Sequence, residues 1–165
     1  LGKLVKKNLK YKFKIVSFSQ LKRKLKTSFD KKIGFTNGCF DILHTGHFNL
    51  FKFCKKNCDI LIVAINSDIS IRRLKGKKRP YNNLKTRLTN LSRISEIDYI
   101  IYFHKLDPLN LIKKIKPIIL FKGSDYSIDT VVGNKFIESY GGKTILAPHI
   151  QGYSTTDMIR TKKYI

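Results

Sequence analysis

Thr36-Asn37-Gly38-Cys39-Phe40-Asp41-Ile42-Leu43-His44-Thr45-Gly46-His47 decides how this chain is read. Ile33 to Thr36 is a short apolar strand, Asn37-Gly38 opens a tight turn, and Gly46 to about Lys56 has the period of a helix. Leu50 and Phe51 or Phe53 turn inward on that helix. The helix therefore starts at His-x-Gly-His. A helix N-terminus carries unpaired backbone N–H groups and a partial positive charge, which suit an anion. Two imidazoles and the close approach allowed by Gly46 make it a station for a polyphosphate. The pattern points to a nucleotide ligand and to chemistry on its phosphates.

Outward from this stretch, strands and helices alternate. Asp59 to Asn66 is a near-continuous apolar run, as expected of a strand buried on both faces of a parallel sheet. Tyr99–Phe103, Pro117–Phe121 and Thr144–Ala147 complete five strands. Between them lie a helix capped by Asn83 with Leu84, Leu88, Leu91 and Ile94 inward, one opening at Asp107-Pro108, and one near Asn134–Tyr140 ending at Gly141-Gly142. Ser19 is placed as the cap of an early helix running to about Phe29, with Leu21, Leu25 and Phe29 on one face. Ser154-Thr155-Thr156 would cap a terminal helix. The expectation is an α/β fold: a single Rossmann-like doubly wound domain, with a mostly parallel five-stranded sheet and helices on both faces. Residues 1–14 read as a basic arm and residues 15–165 as the domain.

In such sheets ligands bind beyond the carboxyl ends of the strands. Four polar clusters follow strands here: Asn37 to His47, Asn66-Ser67-Asp68, Lys122-Gly123-Ser124-Asp125, and Gly152-Tyr153-Ser154-Thr155-Thr156. All four are expected along one edge.

The 165 residues fit one core, and 42% hydrophobic content is ample for it. No apolar run is long enough to span a bilayer, and no signal peptide is evident. The net charge of +23 raises nucleic-acid binding as a function. The lysines, however, come in pairs along the whole chain, as at Lys31-Lys32, Lys77-Lys78 and Lys162-Lys163, with no nucleic-acid-binding signature. The expectation is no specific nucleic-acid partner. Cys39, Cys54 and Cys58 read as free thiols.

His44 and His47 can face the same ligand. Nucleotidyl transfer needs positioning and positive charge around an attacked phosphorus more than a protein nucleophile. Imidazoles donate hydrogen bonds to the phosphate oxygens, while Lys or Arg follows the charge as it moves to the leaving group. A phosphate acceptor is already ionised near neutral pH, so no general base is required. Lys75, Lys77, Lys78 and Arg79 lie on a basic loop from Lys75 to Asn82, read either as a cationic lid or as a solvated loop. Arg87 sits on the next helix, as a surface arginine or a ligand group. Asp41 can orient His47, hold a metal-bound water, or tie down the turn. No carboxylate cluster marks a protein-held metal, so any Mg²⁺ is expected to be carried mainly by the triphosphate.

At these residues the chain resembles the HxGH nucleotidyltransferase superfamily, cytidylyltransferase-like branch, and most closely the heptose 1-phosphate adenylyltransferases. The resemblance runs over roughly residues 15–165. It rests on the Thr36–His47 stretch, Val63 to Asp68, and Arg73-Leu74-Lys75-Gly76-Lys77-Lys78-Arg79-Pro80 with Asn82 and Arg87. It continues through Lys122 to Tyr126, Val131-Val132-Gly133, Gly141-Gly142 and Gly152 to Thr156. The resemblance implies a reaction of ATP with D-glycero-β-D-manno-heptose 1-phosphate to give ADP-heptose and pyrophosphate, for lipopolysaccharide core assembly in the bacterial cytoplasm. It implies catalytic roles for His44, His47 and Lys75. It places Asn37, Gly38 and Phe40 at the nucleotide entrance, with Asp41 and Gly46 beside them and Arg87 near the triphosphate. Gly123, Asp125, Tyr153, Ser154 and Thr155 match the adenosine- and phosphate-side loops. The lead-in near Ser19 resembles the start of stand-alone versions, and a homodimer is the expectation by analogy. The rival on the same fold is a cytidylyltransferase for glycerol 3-phosphate or a similar ester. His149, where some cytidylyltransferases carry an arginine, disfavours it.

Overall fold

The computed structural model describes residues 13–148. Tyr153, Ser154, Thr155, the expected terminal helix, His149 and most of the basic arm lie outside the described residues.

The elements in chain order are α1 (Phe18–Leu25), β1 (Ile33–Gly38), α2 (Thr45–Asn57), β2 (Ile60–Asn66), α3 (Asp68–Lys75), α4 (Leu84–Ser92), β3 (Tyr99–Phe103), α5 (Leu109–Ile115) and β4 (Ile119–Lys122). A 3-10 turn (Ile128–Thr130), α6 (Asn134–Glu138) and β5 (Lys143–Leu146) follow. The five strands form one sheet in the order β3-β2-β1-β4-β5, and every neighbouring pair is parallel. Strand order reverses between β1 and β4, the place where an open α/β sheet forms its ligand crevice.

Alternation along the central strands builds two cores. Leu61, Val63 and Ile65 of β2 face Phe51 and Cys54 of α2 and Leu91 of α4. Ile62 and Ala64 face the other way, toward Leu21 of α1, Ile112 and Ile115 of α5, and Ile137 of α6. All five of those β2 residues are fully buried. The apolar run expected of a doubly covered strand is therefore filled on both faces. Gly34 lets this layer close, since a Cβ there would stand 2.6 Å from the Phe121 ring and 2.7 Å from Cys58 Sγ.

Three local expectations need correction. Ser17, not Ser19, caps α1: its hydroxyl accepts from the Gln20 N–H, and the Gln20 side chain accepts from the Ser17 N–H. That helix stops at Leu25, where Thr27 and Ser28 hydroxyls bond the Lys24 carbonyl and turn the chain, leaving Phe29 88% exposed. Lys75 is not in a loop but is the last residue of α3, a helix capped by Ser67 and ended by Gly76 at φ 92°. The basic loop therefore starts at Gly76. Asn83 caps α4 as expected, accepting from the Thr86 N–H at 2.9 Å.

Candidate active site

The site grows from the end of β1. Asn37 and Gly38 finish the strand and Cys39 leads into Phe40, which stands at φ 44°. A phenylalanine in the left-handed region is unfavourable by itself and is held only by its surroundings. Here the ring is the holding element: it is 4% exposed, packs on Phe51 with centroids 5.2 Å apart, and meets His47 edge-on at 5.1 Å. The strained turn thus fixes the imidazole of His47 from below.

His44 is the N-cap of α2 and makes no side-chain bond to the helix's own amides. The His47 and Phe48 N–H groups bond the His44 carbonyl at 2.9 and 3.3 Å, so the Thr45 and Gly46 amides are the ones left open for an external acceptor. The His44 and His47 rings lie 3.8 Å apart and are tilted by 32°. Each has a buried Nδ1 without a hydrogen-bond partner. Burial, then the neighbouring His44 and Lys75, push His47 down to about 3. Burial also lowers His44. Both rings are therefore uncharged near neutral pH, each with one N–H to give.

Asp41 takes the last of its three expected roles. It is 3% exposed; its Oδ2 accepts from Arg79 Nε at 2.8 Å and the Tyr81 N–H at 2.9 Å, and its Oδ1 from the Asn82 N–H at 2.8 Å. The carboxylate pins the far end of the basic loop beneath the histidine turn. Arg87 is 1% exposed rather than on the surface. It donates to Asn82 O at 3.0 Å, Cys39 O at 2.8 Å and Asp68 Oδ1 at 2.7 Å. Its guanidinium braces the β1–α2 turn against the start of α3.

Of the four polar clusters, three fall in the described residues, at the carboxyl ends of β1, β2 and β4. The second is consumed by folding. Asn66 donates to Ser70 Oγ at 2.9 Å, Ser67 caps α3, and Asp68 holds Arg87. Lys75 is exposed at the end of α3, where its charge opposes the burial that raises Cys39 and adds to the burial that lowers His47. Asp125 is exposed after β4, with its carboxylate folded back against Gly123.

Sequence reasoning placed Lys122 in the polar cluster after β4 but gave it no role of its own. It closes β4, is 7% exposed, donates to Asn37 O at 3.0 Å, and stands 4.9 Å from the centroid of the Tyr126 ring. The signal was present: a lysine ending an otherwise apolar strand, Ile119-Leu120-Phe121-Lys122, at the edge where ligands bind.

Residues 35–163 match the cytidylyltransferase-like family. The chain belongs to that family. It is a nucleotidyltransferase. It is 48% identical over 128 residues to the bifunctional protein HldE of Caulobacter sp. (strain K31), a match covering 78% of this chain and 26% of that protein. It is 46% identical over 130 residues to the bifunctional protein HldE of Paramagnetospirillum magneticum (strain ATCC 700264 / AMB-1), covering 79% and 27%. The chain thus spans about a quarter of the length of these curated relatives. Among solved structures, the lipopolysaccharide core biosynthesis protein from Thermoplasma volcanium GSS1 superposes with a TM-score of 0.63 at 29% identity, over 73% of this chain and 99% of that one. The pantoate-beta-alanine ligase from Francisella tularensis has a TM-score of 0.61 at 18% identity, over 90% and 76%, and shares the fold.

For a nucleotidyltransferase the arrangement has a clear chemical capacity. Open helix amides and two neutral imidazoles offer hydrogen-bond donors to phosphate oxygens. Lys75 adds an exposed positive charge at the end of α3, and Lys122 a buried one between β4 and β1. Among the described residues, no three His, Cys, Asp or Glu side chains come together as a metal site, and Asp41 is already occupied. No helix among them is long and apolar enough to cross a membrane.

Proposed function

We propose that this nucleotidyltransferase joins ATP and D-glycero-β-D-manno-heptose 1-phosphate to give ADP-heptose and pyrophosphate, as a cytoplasmic step toward the lipopolysaccharide core. One observation carries the reading: two uncharged imidazoles, each with an unpartnered buried Nδ1, stacked at the open N-terminus of α2. The Arg73 to Pro80 and Lys122 to Tyr126 stretches, which resemble the heptose type, support heptose as the sugar. The name of the Thermoplasma protein supports the lipopolysaccharide setting.

In this reading a phosphate oxygen of the heptose attacks the α-phosphorus of ATP, and the bond to the pyrophosphate oxygen breaks. His44 and His47 donate to the α-phosphate oxygens as charge builds there. Lys75 follows the charge onto the departing pyrophosphate. Asn37, Gly38, Phe40 and Gly46 shape the nucleotide entrance, Gly123 and Asp125 serve the adenosine side, and Tyr153, Ser154 and Thr155 complete it. Asp41 and Arg87 act through the protein, by holding the loop and turn. Mg²⁺ would be carried by ATP rather than by carboxylates of this chain, and would offset charge on the triphosphate.

Pyrophosphate release tests this, with ATP or CTP against heptose 1-phosphate, other sugar 1-phosphates and glycerol 3-phosphate. Release requiring ATP and heptose 1-phosphate is expected. A preference for CTP with glycerol 3-phosphate would move the chain to the rival activity on the same fold.

A further inference from the structure

β1 and β4 pair only as far as Thr36 and Phe121. Yet β1 stays paired with β2 to Gly38, and β4 with β5 to Lys122. The two strands therefore part at Asn37 and Lys122. The helices that follow them, α2 and α6, pack on opposite faces of the sheet. This parting is the floor of the ligand crevice. Lys122 spans it, with Nζ bonded to Asn37 O on the other strand. An ammonium has three N–H groups, and this bond uses one. Beside it, Thr36 Oγ1 and Asn37 Oδ1 are buried without partners.

The other cations around the crevice are committed or peripheral. Arg79 is paired with Asp41, Arg87 with Asp68, and Lys75 is exposed at the rim. None of the three ion pairs among the described residues includes Lys122. The two histidines donate but carry no charge. Nucleotidyl transfer must bring one phosphate dianion up to another phosphate, and their repulsion needs a cation at depth.

We propose that Lys122 binds the phosphate monoester of the acceptor at the floor of the β1–β4 crevice. The assignment rests on the nucleotidyl-transfer reading above. Lys122 is thereby a substrate-contacting residue on the β4 side, facing the phosphate that the histidines hold on the β1–α2 side. Its ionisation gives a second handle. Burial lowers the ammonium to about 8, against the opposing pull of Asp125 and Cys39. The Tyr126 hydroxyl is the remaining titratable group alongside, and burial raises it. In the free enzyme the charge thins out as pH rises through about 8, so acceptor capture weakens over that range.

The test measures KM for ATP and for heptose 1-phosphate in wild type, Lys122→Met and Lys122→Arg. Calorimetry of heptose 1-phosphate onto enzyme saturated with a non-hydrolysable ATP analogue accompanies it. In Lys122→Met, acceptor KM and Kd are expected to rise about tenfold or more, with ATP KM within about twofold of wild type. In wild type, kcat/KM for the acceptor falls above about pH 8, and Lys122→Arg loses that fall because guanidinium stays charged. If Lys122→Met fails to fold, the pH profile of Lys122→Arg alone decides. A rise in ATP KM with unchanged acceptor KM would assign the cation to the triphosphate and overturn the proposal. Unchanged constants in both variants would also overturn it. A wild-type enzyme that binds neither the ATP analogue nor heptose 1-phosphate would instead sink the nucleotidyl-transfer reading itself.

Discussion

Arg79 closes on Asp41 through two nitrogens, Nε and Nη2, each 2.8 Å from Oδ2. The side chains are 15% and 1% exposed, so the pair is nearly dry. It joins the basic loop to the turn that carries the histidines. Asp41→Ala would leave a guanidinium and two backbone N–H groups without acceptors. A loss of about 3–5 kcal/mol is expected, read by urea unfolding, together with a raised KM for ATP. Asp41→Ala with unchanged stability would show that the loop is held by something else.

His44→Ala and His47→Ala each remove a donor from the open end of α2. Turnover is expected to fall by about 10²- to 10³-fold for each, with far-ultraviolet circular dichroism unchanged. Near-normal rates in both would refute their assigned roles.

The buried histidine also ties stability to pH. His47 titrates near 3 in the folded chain, whereas an unfolded histidine titrates near 6.5. Between those values the unfolded state binds the extra proton, so stability falls as pH drops from 6.5 toward 3. The slope contributed is at most about 1.4 kcal/mol per pH unit. Denaturant titrations from pH 4 to 7 should therefore be flatter for His47→Gln than for wild type. Equal slopes would mean that His47 is not held neutral.

Arg87 donates to two carbonyls and a carboxylate from three separate nitrogens, in directions set by its plane. Lysine keeps the charge but not the fork. Arg87→Lys is expected to cost about 2 kcal/mol or more and to lower kcat, with the melting temperature and turnover as readouts. A silent substitution would mean the brace is redundant.

The sheet was readable because β2 is apolar at successive positions and helix periods intervene; a two-sided core leaves that trace. The histidine turn was readable for the same reason, since a strand, a turn and His-x-Gly-His dictate where imidazoles go. α3 was harder to see, as its eight residues include Arg72, Arg73 and Lys75 and bury only Ser70 and Ile71. What Asp41, Arg87 and Lys122 bond to was harder still. Their partners lie 38 to 85 residues away, apart from Arg87's bonds to Asp68 and Asn82, and no local pattern announces such pairs.

Near the start of the described chain, Ile15 runs parallel to Ile100 on β3, with Ile100 N–H bonded to Lys14 O at 2.7 Å and Val16 N–H to Ile100 O at 3.0 Å. β3 is the outermost strand on that flank. Three residues thus act as a selvedge, occupying backbone groups that would otherwise invite a foreign strand. A version shortened to begin at Ser17 would bare this margin and should cluster in solution while its catalytic crevice remained intact.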